Sequence, residues 1–261
     1  MATTFNLFTS ISWIITGVVS AVLSSLFLRK NPRKRLNQLF SAGFISWSIS
    51  MLFNGINFAV VYRSLTIANI FRDLSVVFGI FSAFALIAAA IGIYFGAESV
   101  NWIVILVLVA IAATLSGLGA ANDWVTADGL GGFKTTDNLI GKICIQIIAT
   151  VFVIAANVLL ILTYRSSENP QAKRRIGFFI IGYSTILIGQ LMFLIDNFVN
   201  ISPYVFPTFA LITWVTGPIL MLVGFYVKAE SHTPSLPKDG SVNTESQLLA
   251  TQKEQNIERP S

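Results

Sequence analysis

The chain has 261 residues, of which 54% are hydrophobic and 11% charged, with a formal net charge of +5 and a mean hydropathy of +0.74. About a quarter of the residues of a soluble domain are charged, so this composition excludes an ordinary soluble enzyme or binding domain. The Lys and Arg residues stand between apolar blocks, which argues for cationic loops of a membrane protein and against a nucleic-acid partner.

A helix needs roughly 20 apolar residues to cross a bilayer. Seven blocks qualify, at about 7–28, 37–62, 70–95, 102–119, 141–163, 175–199 and 204–227. β-barrel spans would be about ten residues long and alternating. The expected fold class is therefore an all-α integral membrane protein, a seven-transmembrane helix bundle over 1–228. A disordered cytoplasmic tail over 229–261 is expected to follow, rich in Ser, Thr, Pro, Gln, Glu and Lys.

The first block has no basic segment before it and is too long for a signal-peptide core, so it reads as a retained helix. Ser12, Thr16, Ser20 and Ser24 form an i, i+4 stripe on it, suited to close packing through small residues and hydroxyl bonds. The loop that follows carries Arg29, Lys30, Arg33, Lys34 and Arg35, and its Asn31-Pro32 signals a helix start. The second block has a comparable stripe, Ser46, Ser50 and Asn54, and places Asn54 and Asn57 in its outer half. Arg72 and Asp73 open the third. The fourth is the shortest, and the 119–141 segment after it, with Trp124 and Phe133, either caps the bundle or lies on the membrane. The fifth holds the single Cys144, read as an apolar filler, and Gln146, Thr150 and Asn157, read as internal hydrogen-bonding groups.

The next loop carries Arg165, Lys173, Arg174 and Arg175, with a second helix start at Asn169-Pro170. In the sixth block Tyr183, Gln190 and Asn197 follow at heptad spacing, and Asp196 lies about 31 Å from Arg175, near the far interface. Trp214 and Gly217-Pro218 mark a kink in the seventh, since Pro218 removes a helix hydrogen bond. Ten basic residues flank one face of the bundle and four the other. By the positive-inside bias, the N-terminus is outside, the C-terminus cytoplasmic, and the cell membrane the location. Anionic headgroups are the expected partners of the basic loops.

Asn31-Pro32 to Phe40 and Gly43 matches Asn169-Pro170 to Phe179 and Gly182 at an almost constant offset, and Gly92 near the end of helix 3 matches Gly224 near the end of helix 7. These echoes suggest a 3+1+3 parallel repeat with helix 4 as linker. No cofactor or catalytic set is expected: His232, the one histidine, is in the tail, and no metal, phosphate-loop or dinucleotide motif occurs. The chain does not read as an enzyme. Asn54, Asn57, Arg72, Asp73, Gln190, Asp196, Asn197 and Trp214 are the candidate ligand-binding residues. They are expected to line an outward-facing vestibule in which Arg72 pairs with Asp196.

The loop Arg29-Lys30-Asn31-Pro32-Arg33-Lys34-Arg35-Leu36-Asn37, the aromatic stretch through Phe40, Trp47 and Phe53, and Lys173-Arg174-Arg175 opening helix 6 resemble the seven-transmembrane N-terminal sensor region of prokaryotic histidine kinases. The resemblance spans roughly 1–228. It implies a stand-alone membrane sensor that binds a small molecule and signals through a cytoplasmic partner, since the segment after the last helix is too short for a kinase domain. The alternative is a small-solute transporter, because a parallel 3+1+3 repeat resembles sugar transporters of the SWEET type. Polar residues along the whole bundle would favour transport, and apolar closure of the cytoplasmic half would favour sensing.

Overall fold

A computed structural model describes residues 2–127, 133–134, 138–199 and 205–227, with side chains at all of these except 2–6, 8, 9, 134, 196–199 and 205–207. The 229–261 tail lies outside the described residues. The helices are α1 (Ala2–Lys30), α2 (Arg35–Val60), α3 (Leu65–Tyr94), α4 (Trp102–Gly119), α5 (Leu139–Ser166), α6 (Pro170–Val199) and α7 (Val205–Tyr226). Among the described residues, each of these seven helices contains a stretch long and apolar enough to cross a membrane. The chain is a multi-pass, predominantly helical membrane protein.

The helix ends follow local capping chemistry. Ser64 Oγ accepts from Ile67 N–H at 3.3 Å and starts α3 five residues before the expected position. Asn101 Oδ1 accepts from Ile103 and Val104 N–H, both at 3.0 Å, and starts α4. Asn169 Oδ1 does the same for Gln171 at 2.9 Å and Ala172 at 3.3 Å, so α6 begins at Pro170 as the sequence signalled. These donors are the orphan N–H groups of a first turn. Asn31-Pro32 behaves differently, which corrects the expected helix start. Asn31 Oδ1 accepts from Arg33 N–H, and Asn37 Nδ2 and Gln38 Nε2 fold back onto the carbonyls of Asn31 and Pro32. The pair closes a tight turn, and α2 starts three residues later. With only four residues between α1 and α2, the chain must reverse within the loop before it can enter a helix.

Consecutive helices run antiparallel, and α1, α2, α3, α5, α6 and α7 pack in that cyclic order, with α7 returning to α1. Helix α4 stands outside the ring against α3 and α5. It is apolar all round, and only Ala112, Ser116 and Gly119 are buried on it. That is the pattern of a helix facing lipid on most of its surface.

Burial is inverted relative to a soluble protein: hydroxyls and amides point inward while Ile, Leu and Val point out. The hydroxyls join helices by bonding to backbone carbonyls. Ser10 donates to Gly55 O (2.7 Å), Ser48 to Gly17 O (2.7 Å), Ser24 to Ser41 O (2.9 Å), Ser50 to Ser75 O (2.7 Å) and Ser82 to Gly43 O (2.9 Å). The expected packing role thus falls partly on other residues. Thr16 and Ser20 bond within their own helix, Ser24 joins α1 to α2 as expected, and Ser10 and Ser48 make further contacts between the two.

Two aromatic layers cross the ring. Nearer the basic loops, Phe27 stacks on Phe40 and Phe44 with centroids 5.3 and 5.4 Å away, meets Phe225 at 4.6 Å, and Phe40 meets Phe179 at 5.1 Å. Further along the bundle, Trp214 meets Trp13, Trp47 and Phe193 at 5.4, 5.3 and 5.5 Å. At the basic end Lys30 Nζ donates to Phe225 O and lies 4.3 Å over the Phe225 ring. Tyr226 Oη donates to Leu26 O at 3.1 Å, so α1 and α7 are latched there.

Candidate functional site

A chamber of about 80 Å³ lies inside the ring, and every ring helix contributes to its wall while α4 contributes nothing. Trp13 comes from α1, Trp47, Ser50 and Asn54 from α2, Arg72 and Ser75 from α3, Gln146 from α5, Gln190 and Phe193 from α6, and Trp214 and Pro218 from α7. Its polar groups share one level. At 1.5 Å per residue, Asn54, Arg72, Gln146, Gln190 and Trp214 each stand roughly 9–14 Å in from the helix ends nearest Trp124.

The wall toward the 119–141 segment is a layered plug. The Asn69 side chain accepts from Trp124 N–H (2.9 Å) and Val125 N–H (2.8 Å) and donates to Val125 O (3.0 Å). Trp124 Nε1 donates to Gly119 O at 3.0 Å, and Asn138 Nδ2 reaches the Gly119 and Asn122 carbonyls at 2.8 and 2.7 Å. Held this way, the indole is fully buried, and the Arg72 guanidinium lies 4.9 Å from its ring centroid. Arg72 Nη1 donates to Asn54 Oδ1. Of the two placements left open for the 119–141 segment, its described part takes the cap. Thr126–Ala127 and Phe133–Lys134 pair as a short antiparallel ribbon beyond it.

Toward the basic end the chamber meets apolar groups. Phe44 and Leu86 form its floor, backed by Phe27, Phe40 and Phe179. Tyr183 there is fully buried, with Oη donating to Leu86 O at 3.0 Å. The chamber thus lies between the Arg72–Trp124 contact toward one end of the bundle and an aromatic floor toward the other. Trp124 covers the opening because Asn69, one turn before Arg72 on α3, satisfies the backbone of 124–125.

Among the expected site residues, Asn54, Arg72, Gln190 and Trp214 come together on this wall. Arg72 does not open its helix but sits seven residues inside α3, because Ser64 starts the helix earlier. Asp73 parts from it, lining a shallow groove with Asp123 and Asn69 beside the plug; neighbouring residues on a helix do not share a face. Asn57 is fully buried off the chamber wall with both amide atoms unpartnered. The side chains of Asp196 and Asn197 lie outside the described residues, as does the expected Arg72–Asp196 pair.

Gln146 is the residue whose role the sequence concealed. It is 2% exposed, lines the chamber, and neither its amide oxygen nor its amide nitrogen has a partner. It sits on a single π turn, Ile143–Ile147, inside α5. Such turns re-aim side chains and concentrate at functional sites; nothing in the local sequence announces one. Arg72 Nε and Trp214 Nε1 are likewise buried and unpartnered at the chamber. Orphaned buried polar groups are rare in native proteins, and three residues bearing them meet here.

The groups on this wall can donate and accept hydrogen bonds. The wall has no carboxylate, imidazole or thiol among its described residues, and the hydroxyls of Ser50 and Ser82 are committed to backbone carbonyls. No group of three or more His, Cys, Asp or Glu among the described residues is placed to hold a metal ion. Compared with known proteins, the chain matches no family model and no curated protein.

Proposed function

We propose that this chain is a multi-pass membrane sensor, not an enzyme, that binds a small molecule in the chamber and signals through a cytoplasmic partner. The observation that carries this reading is the asymmetry of the chamber. Its polar, partly unpartnered groups gather near the Trp124 end, while the half toward the basic loops is closed by Phe40, Phe44, Phe179 and Tyr183. A ligand entering past the plug meets hydrogen-bonding groups and then an aromatic floor with no polar path beyond. In this reading the Trp124 end is outside, as the bias of basic residues indicates. The basic loops meet anionic headgroups and the partner inside. The latch of Lys30 and Tyr226 between α1 and α7 is where a change in the chamber would reach that surface.

Transport is the second reading, favoured by contacts that fit the expected repeat. Gly92 on α3 packs against Leu36 at the start of α2, and Gly224 on α7 packs against Arg175 and Phe178 at the start of α6. These contacts are equivalent under the 3+1+3 correspondence, and parallel repeats are a transporter plan. Pro218 on the chamber wall adds a hinge element.

The test is a thermal-shift screen of the purified protein against metabolites, followed by liposome uptake of each hit. Sensing predicts stabilisation without uptake. Saturable uptake of a stabilising hit would sink the sensor reading.

A further inference from the structure

The unpartnered groups also carry information about what the chamber holds. Arg72 is a cation buried to 7% exposure, and its one described hydrogen-bond acceptor, Asn54 Oδ1, is neutral. Its Nε has no partner, nor do Trp214 Nε1 and the Gln146 amide, all on residues that line the chamber. Two of these three groups are donors only, and the third both donates and accepts. Donors converging around a buried guanidinium at membrane depth favour a negative group strongly, since an uncompensated charge is costly there. Much of the remaining wall is aromatic: Trp13, Trp47, Phe193 and Trp214 pack against one another in edge-to-face and tilted contacts. The space also sets a size. At roughly 10–15 Å³ per water-sized position, a chamber of about 80 Å³ takes a molecule of about five to eight such positions before any side chain moves.

Building on the chamber being a ligand site, we propose that its ligand is a small organic monoanion, a carboxylate joined to a flat or branched apolar body of about benzoate size. The carboxylate meets Arg72 Nε, with Trp214 Nε1 and the Gln146 amide as further donors. The apolar body lies among the indole and phenyl rings. A cation is refused by Arg72, and a neutral amide forfeits the charge-assisted bond. Water alone would satisfy some of these groups but adds no charge, and the described carboxylate that acts on Arg72, that of Asp73, lines the neighbouring groove and not the chamber.

The experiment uses the full chain in lipid nanodiscs and three isosteric probes: benzoate, benzamide and benzylamine. Tryptophan emission reports directly, because Trp13, Trp47 and Trp214 form the wall. Benzoate should quench saturably and bind at least about tenfold more tightly than benzamide, with no saturable response to benzylamine. Arg72→Gln should weaken benzoate by about tenfold or more. Should that variant not fold, Trp214→Phe and Gln146→Leu carry the test; the first keeps an aromatic ring and the second a side chain of similar size, each removes a hydrogen-bonding group, and each should weaken benzoate by roughly three- to tenfold. Benzamide or benzylamine binding as tightly as benzoate would overturn the anion assignment while leaving a ligand chamber in place. No response to any of the three by folded protein would overturn it too, as would unchanged benzoate affinity in both fallback variants. Benzoate binding followed by liposome uptake would keep the anion assignment and remove the sensor reading instead.

Discussion

At the scale of single residues, the bundle depends on how few buried polar atoms are satisfied and by what. Asn54 is the described hydrogen-bond acceptor for a buried guanidinium that lies over the Trp124 ring. Removing one partner of a buried charged hydrogen bond leaves the other with its full desolvation cost. Asn54→Leu is therefore expected to destabilise the protein by about 2–3 kcal/mol, read as a drop in the thermal unfolding midpoint in detergent. Combining it with Arg72→Met should recover much of that loss; a double variant as unstable as the single would mean that the contact is not what holds Arg72. A second residue, Gly141, owes its identity to the plug. A Cβ there would lie 2.0 Å from the Trp124 ring, so Gly141→Ala must push the indole out. The expected result is red-shifted tryptophan emission and faster proteolysis near 120–127, with no such change for Gly117→Ala, whose Cβ would meet open space.

At the scale of elements, helices approach one another through glycine and serine, not through apolar burial, because lipid is as apolar as a leucine side chain. Gly182 on α6 and Gly217 on α7 are the closest such pair: a Cβ on Gly182 would lie 2.4 Å from Met221 Cγ and 2.7 Å from Gly217 O. Backbone cannot yield as a flexible side chain does, so Gly182→Ala should cost about 1–3 kcal/mol by overpacking. The matched Gly117→Ala, on lipid-facing α4, should be neutral or gain slightly from the propensity of Ala. Equal unfolding midpoints for the two variants would rule out a tight α6–α7 contact. The α2 start teaches the same lesson from the other direction. Asn31-Pro32 and Asn169-Pro170 read alike, but only the second caps a helix, because the Asn37 and Gln38 amides capture the first turn. A side chain six residues away decided what a dipeptide signal could not.

For the whole molecule, the ring of six helices with α4 outside it separates two roles, and the proposed orientation makes both testable. With the Trp124 end outside, Asn122→Cys should react with a membrane-impermeant maleimide added to intact cells, and Glu168→Cys only after permeabilisation. Both positions are exposed, and the native Cys144 is buried at 5% exposure, so the background is low. The reverse labelling pattern would invert the bundle and place the plug on the cytoplasmic side, ending the proposed direction of signalling.

The sequence by itself determined the seven apolar spans, their approximate bounds and the segregation of basic loops, because membrane insertion is a local matter of hydrocarbon length and charge. It also marked Asn54, Arg72, Gln190 and Trp214, since polar groups within such spans are rare enough to stand out. What it could not carry was which of these meet. Asp73 adjoins Arg72 in the chain yet lines a different groove, and Gln146 lines the chamber from a π turn that the local sequence does not announce. The Trp124 plug depends on Asn69, 55 residues away in the chain. Only tertiary structure decided these points: helix rotation and loop docking are set by side chains on neighbouring helices, and a span's own composition says nothing about which neighbours it will have.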